Sequence, residues 1–113
     1  TVLSNEALID IESGELASAR DKLSQSLAIS IPKKLHRLSA TSHYSLGRLA
    51  EKEGDFEAAL QGYDRALAED KLVEYSAGIS KDLDALARVN RALGRDAEAD
   101  DYMNRARKSK ELP

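Results

Sequence analysis

Residues 44–68 read YSLGRLAEKEGDFEAALQGYDRALA, and this stretch decides the fold. Before Gly54, Leu46, Leu49 and Ala50 recur at steps of three and four. After it, Phe56, Ala59, Leu60, Tyr63, Ala66 and Leu67 do the same. Steps of that size place side chains on one face of an α-helix, so the stretch predicts two amphipathic helices. Glu53-Gly54-Asp55 is the break between them, since Gly enters the left-handed conformation that ends many helices without a Cβ penalty. Gly14 and Gly94 stand 40 residues to either side of Gly54. Each lies between two runs of the same pattern, so the chain reads as three copies of one helical hairpin.

Working outward, Leu3, Ala7, Leu8 and Ile11 predict a first helix ended by Ser13-Gly14. Leu16, Ala19, Leu23 and Leu27 predict a second, starting at Glu15. Ser30-Ile31-Pro32 punctuates the chain, and proline suits a first helical turn. A long helix over 32–53 is therefore expected, about 30 Å at 1.5 Å per residue. Glu69-Asp70 marks the next boundary. Leu72, Tyr75, Ile79, Leu83, Leu86, Asn90 and Leu93 predict a third long helix over 71–93. Gly78 in its interior would cost about 1 kcal/mol against Ala. A final helix is expected over 96–108, with Arg105, Arg107 and Lys108 at its negative end.

The bulk composition agrees. A chain of 113 residues with 33% charged and 42% hydrophobic residues and two prolines can bury a core as one domain. Aromatics are 4%, and the apolar content is mostly Ala and Leu, which favours packed helices over sheets. A formal net charge of −3 does not suggest a nucleic-acid binder. The lack of cysteine excludes disulfides, thiolate metal sites and a Cys nucleophile, and fits both cytosol and periplasm. No apolar run approaches the ~18 residues that span a bilayer. The first residue is Thr, so the natural chain is expected to extend upstream.

At the central hairpin Leu46-Gly47, Ala50, Gly54-Asp55-Phe56, Ala59, Tyr63 and Ala66-Leu67 resemble the tetratricopeptide repeat signature. His43 stands where that family often has Trp. The third copy agrees less well, with Leu86-Ala87, Gly94-Arg95-Asp96, Ala99, Met103 and Ala106. The first is weaker still, with Gly14-Glu15-Leu16, Ala19, Leu23 and Leu27. The usual period is about 34 residues, and the glycine spacing here exceeds it, so the chain resembles a longer-period variety. The six extra residues are expected ahead of each first helix. The resemblance implies an all-α fold: a right-handed superhelical stack of three antiparallel helix-turn-helix repeats, at about residues 1–30, 31–70 and 71–110 of a single domain. Gly47, Ala50, Ala59 and Ala66 would let helices approach closely, while Leu49, Leu60 and Tyr63 fill the space between hairpins.

The shared register compares the copies directly. Phe56, Leu60, Tyr63 and Leu67 become Asp96, Asp100, Met103 and Arg107. A terminal repeat needs a polar outer face, so the array is expected to stop there. Leu3, Leu8, Ile9 and Ile11 show no such change, and upstream residues or a second molecule meeting that end, as a homo-oligomer, would cover them.

No catalytic motif is present. His36 and His43 are seven apart on one predicted helix, but a metal site needs three or four ligands. His43 is expected to pack in the Trp-like position and His36 to be partly solvated. Neither G-x-S-x-G nor a Gly-rich phosphate loop occurs. Asp82/Asp84 and Asp100/Asp101 are expected on solvated faces, so neither an enzyme nor a cofactor or metal is expected. Charge is sorted by helix instead. Residues 31–52 carry Lys33, Lys34, Arg37, Arg48 and Lys52 against Glu51 alone, and residues 53–70 carry six acids against Arg65.

In the family the first helices line a concave groove. By register that groove would present Tyr44, Arg48, Glu51 and Lys52 from the second unit and Lys81, Asp84, Arg88 and Arg91 from the third, with Asn5 and Leu8 from the first. Arg48 and Arg88 stand at equivalent positions, and each could grip a carboxylate of an acidic protein or peptide through two parallel bonds. Equally, they could bond neighbouring Asp and Glu and keep the surface soluble. The family's Lys and Asn clamp for C-terminal carboxylates is not reproduced. Three functions remain open: a peptide-binding scaffold, a sensor module that takes a small ligand or peptide and controls an attached domain, and a self-assembling structural unit.

Overall fold

The computed structural model describes Ala7 and residues 15–110. Among them lie five helices: α1 Leu16–Ser30, α2 His36–Lys52, α3 Phe56–Leu72, α4 Ser76–Ala92 and α5 Asp96–Lys110. No described residue is in a strand. The predicted first helix, Gly14, and the apolar N-terminal end proposed for self-association lie outside the described residues, apart from buried Ala7.

Four short joints connect the helices, and all four close the same way. At the evenly spaced Lys34, Gly54, Glu74 and Gly94, φ is positive at 55°, 79°, 53° and 76°. The next N–H reaches back five positions in each case: Leu35 to Ser30, Asp55 to Ala50, Tyr75 to Asp70 and Arg95 to Asn90, at 2.8–3.0 Å. The positive-φ residue bonds three positions back. These paired bonds are the Schellman arrangement, which satisfies carbonyls that a helix end leaves open.

Two of these joints differ from expectation. The helix predicted over 32–53 starts at His36, because Lys34 turns the chain and leaves Pro32 in the turn. The helix predicted over 71–93 starts at Ser76, because α3 runs past Glu69-Asp70 to Leu72. Neither Lys34 nor Glu74 is glycine, so nothing in composition marked them. The last helix also runs past its expected end at Lys108, to Lys110. The extra length is not confined to the first helices: α2, α3 and α4 each hold 17 residues.

Lys and Glu in the left-handed region carry strain of about 1 kcal/mol. Glu74→Gly should therefore raise the unfolding free energy by about 0.5–1 kcal/mol, read from urea denaturation; a loss instead would mean that the Glu74 side chain itself holds the joint.

The principal helix contacts are between chain neighbours. The closest is α2 on α3, where Gly47 and Gly62 meet. A Cβ at Gly62 would lie 2.8 Å from Gly47 N and from His43 O. This contact lets the Tyr63 ring lie across Gly47, fully buried. Tyr63, Leu67, Leu83, Leu86 and Val89 form one cluster, and Ala19, Leu23 and Leu49 with Ala7 form another. Burying each large side chain contributes roughly 1.5–3 kcal/mol. Gly62 was not singled out from sequence, whereas Gly47 was.

Between α1 and α2 the seam is apolar around Leu23 and Leu49 and polar at the serines. Ser30 and Ser39 hydroxyls are 2.8 Å apart, and Ser42 donates to Ser26 at 3.1 Å. At the other end, α5 leaves Asp96, Asp100 and Met103 exposed with Arg107, whereas the matching α3 positions Tyr63 and Leu67 are buried.

Candidate binding groove

Helices α2 and α4 are separated in the chain by α3, yet their side chains line common ground. Tyr44, Arg48, Glu51 and Lys52 on α2 share depressions with Lys81 and Arg88 on α4, while Asp84 and Arg91 follow at steps of three and four on α4 but border a depression shared with α5. Such spacing puts each set on one helical face.

Tyr44 is the hinge between the two helices. Its ring centroid lies 5.0 Å from that of Tyr63 at 55°, a tilted geometry favoured by aromatic quadrupoles. Lys81 brings its ammonium 4.1 Å above the Tyr44 ring, within cation–π range. Tyr44, Arg48, Glu51, Lys52 and Arg88 then enclose a depression of about 340 Å³. Arg88 also borders a second one of about 550 Å³, with Asp84, Ala87, Arg91 and Met103.

Arg88 is already engaged within the chain. Arg88 forks onto Glu51, with Nη2 at 2.6 Å from Oε1 and Nε at 3.1 Å from Oε2. The Tyr63 hydroxyl donates to the same carboxylate. Burial alone would raise the Glu51 pKa, but the bonds from Arg88 and Tyr63 outweigh it and leave it below the ordinary value. Burial and then the bond to Glu51 push the Tyr63 phenol up. The guanidinium fork expected to receive a partner's carboxylate is thus occupied by the chain's own Glu51. Arg91 is similarly engaged, 3.0 Å from Asp100 and 3.7 Å from Asp96. Asp84 is exposed and receives Lys110 at 3.2 Å. Asn5 and Leu8 lie outside the described residues.

The two histidines part ways. His36 Nδ1 lies 2.5 Å from Glu69 Oε2, partly buried. His43 is buried, and burial followed by the charge of Arg65 lowers its pKa. Among the described residues no three His, Asp or Glu side chains cluster as metal ligands, and no helix is long and apolar enough to cross a membrane.

Two acids depart from their expected place. Asp82, read as solvent-facing, is 2% exposed, and Asp70, read as a boundary residue, is 4% exposed. Burial, then a hydrogen bond to Asp70, pushes the Asp82 carboxyl up to about 9. The signal was present in the sequence. Asp82 falls on the stripe of Ile79, Leu86 and Val89, and register places it over Ser42, which is also buried. No family model, curated protein or solved structure matches this chain.

Proposed function

We propose that the chain is a three-unit helical-hairpin scaffold of tetratricopeptide type, a right-handed stack that binds an acidic protein segment along the face shared by α2 and α4. The observation that carries this reading is that face itself. Two helices that are not chain neighbours line one depression, with Arg48, Lys52 and Arg88 against Glu51, and Lys81 lies over Tyr44 at its edge. Arg88 also borders the next depression with Arg91 and Asp84. The even recurrence of one joint type supports a repeat, and an overall thickness of 20 Å suits two helix layers. Non-glycine joints, Lys34 and Glu74, alternate with glycine joints, Gly54 and Gly94, and each pair keeps the period that the glycines mark in the sequence.

A partner's carboxylate would meet Arg48, Lys52 and Arg88 in the same depression and would compete with Glu51 for Arg88. The test is fluorescence binding with labelled peptides selected from a library for affinity to the intact chain. Acidic peptides should dominate the selection. Arg48→Glu with Lys52→Glu should weaken them more than about tenfold, and binding should fall with added salt. Circular dichroism should show the helical fold retained in the double variant. Selection of neutral peptides, or binding unchanged in the double variant, would overturn the reading.

A further inference from the structure

Beside the groove, where α3 hands over to α4, lies a cavity of about 210 Å³. Its wall holds both buried acids, Asp70 and Asp82. Asp82 Oδ2 receives no hydrogen bond from any donor among the described residues. An acid at this depth without a counter-ion is costly, and the pair answers by retaining a proton. Two cations also line the cavity, but they face aromatic rings. Arg37 lies 4.1 Å over Tyr75 and Lys81 4.1 Å over Tyr44. Both are exposed residues on long stems that turn easily.

The local backbone keeps this pocket open. Gly78 sits in the first turn of α4, and a Cβ there would lie 2.5 Å from Asp70 Oδ2 and 2.7 Å from the Tyr75 ring. Any side chain would displace the acid from its seat. The matching place one unit earlier is built differently. Ser30 and Ser42 stand for Asp70 and Asp82, and they find partners in Ser39 and Ser26. The scaffold therefore does not require acids at this point, and a hydroxyl or apolar pair would cost less.

Charge and size define an occupant. A plain anion would meet two acids within, and a plain cation would pass two cations at the mouth. A zwitterion satisfies both. At about 30 Å³ per water, the volume equals roughly seven waters, below the roughly 300–1,000 Å³ of drug-sized sites. We propose that this cavity binds a small zwitterion of the α-amino acid class, its ammonium seated on Asp70 and Asp82 and its carboxylate held by Arg37 and Lys81. The ammonium takes the place of the proton that the acid pair retains, and that proton leaves to solvent. This site does not depend on the peptide groove, because its ligand needs no peptide and none of its four charged residues is changed in the groove variant.

Titration calorimetry of the intact chain with glycine, L-alanine, methylamine and acetate tests it. Either amino acid should give saturable heat with a dissociation constant of about 10 μM to 10 mM. Methylamine and acetate should bind at least about tenfold more weakly, since each lacks one of the two charges. Repeating the titration at pH 7.5 in buffers of different ionisation enthalpy should show about one proton released. Asp82→Asn should weaken glycine at least about tenfold, with its fold checked by circular dichroism, and Lys81→Gln should weaken it about threefold or more. No saturable heat with either amino acid up to about 50 mM would overturn the proposal. So would methylamine or acetate binding as tightly as glycine, or unchanged binding in a folded Asp82→Asn chain.

Discussion

Gly62→Ala should lower the unfolding free energy by about 2–4 kcal/mol and the melting temperature by at least about 10 °C. In an ordinary helix interior the same change would gain about 1 kcal/mol, so the sign itself is diagnostic. The added Cβ would lie 2.8 Å from Gly47 N and His43 O and 2.9 Å from Gly47 Cα. All three atoms are backbone of α2, so no side chain can move aside. The helices must part, and parting them lifts Tyr63 from Gly47 and opens the centre of the core. Gly54→Ala is the control. Its φ is +79° and nothing lies within 4 Å of the new Cβ, so only left-handed strain of about 1 kcal/mol opposes it. A Gly62→Ala chain within about 1 kcal/mol of the parent in urea denaturation would refute the close crossing.

The second large effect is a dependence on pH. Asp82 holds its proton in the folded chain up to about 9, whereas the ordinary value is 3.8. Between those values the folded state binds more protons than the unfolded one, so stability falls as pH rises. One proton gives a slope of at most about 1.4 kcal/mol per pH unit. The groups in play around it are Asp70, whose bond and charge raise it, and Lys81, whose charge lowers it. Glu51 acts in the opposite direction. Its pKa is lowered, so its contribution is present above the ordinary carboxylate range and lost only as acid protonates it. His43, whose pKa is lowered, adds stability as pH rises to its ordinary value of 6.5. The parent chain should therefore lose stability from pH 7 to pH 9, and Asp82→Asn should flatten that loss and be the more stable chain at pH 9. A parent whose urea midpoint rises across the same range would contradict the buried acid pair.

These two residues show how far one sequence could be read. The apolar stripe of α3 was legible because a helix repeats every 3.6 residues and Phe56, Leu60, Tyr63 and Leu67 obey it. The joints at Gly54 and Gly94 were legible because positive φ favours glycine. The joints at Lys34 and Glu74 take the same conformation without glycine, and two helix starts were misplaced as a result. Asp82 carried the right position for burial and the wrong chemistry, so chemistry prevailed in the reading and was mistaken. Groove residues were placeable along each helix but not across helices. Arg88 and Glu51 are 37 residues apart, and no local pattern shows that one occupies the other.

What the sequence determined by itself is therefore everything that depends on near neighbours: the helical class, the stripes, two glycine joints, the charge sorted by helix and the likeness between units. Periodicity and capping act over a few residues, so they can be read in one dimension. Only the tertiary structure decided which Gly becomes a crossing point, that Arg88 is already spent on Glu51, and which acids lose their water. Each of those depends on what a second helix brings within about 3 Å, and desolvation turns that proximity into energy.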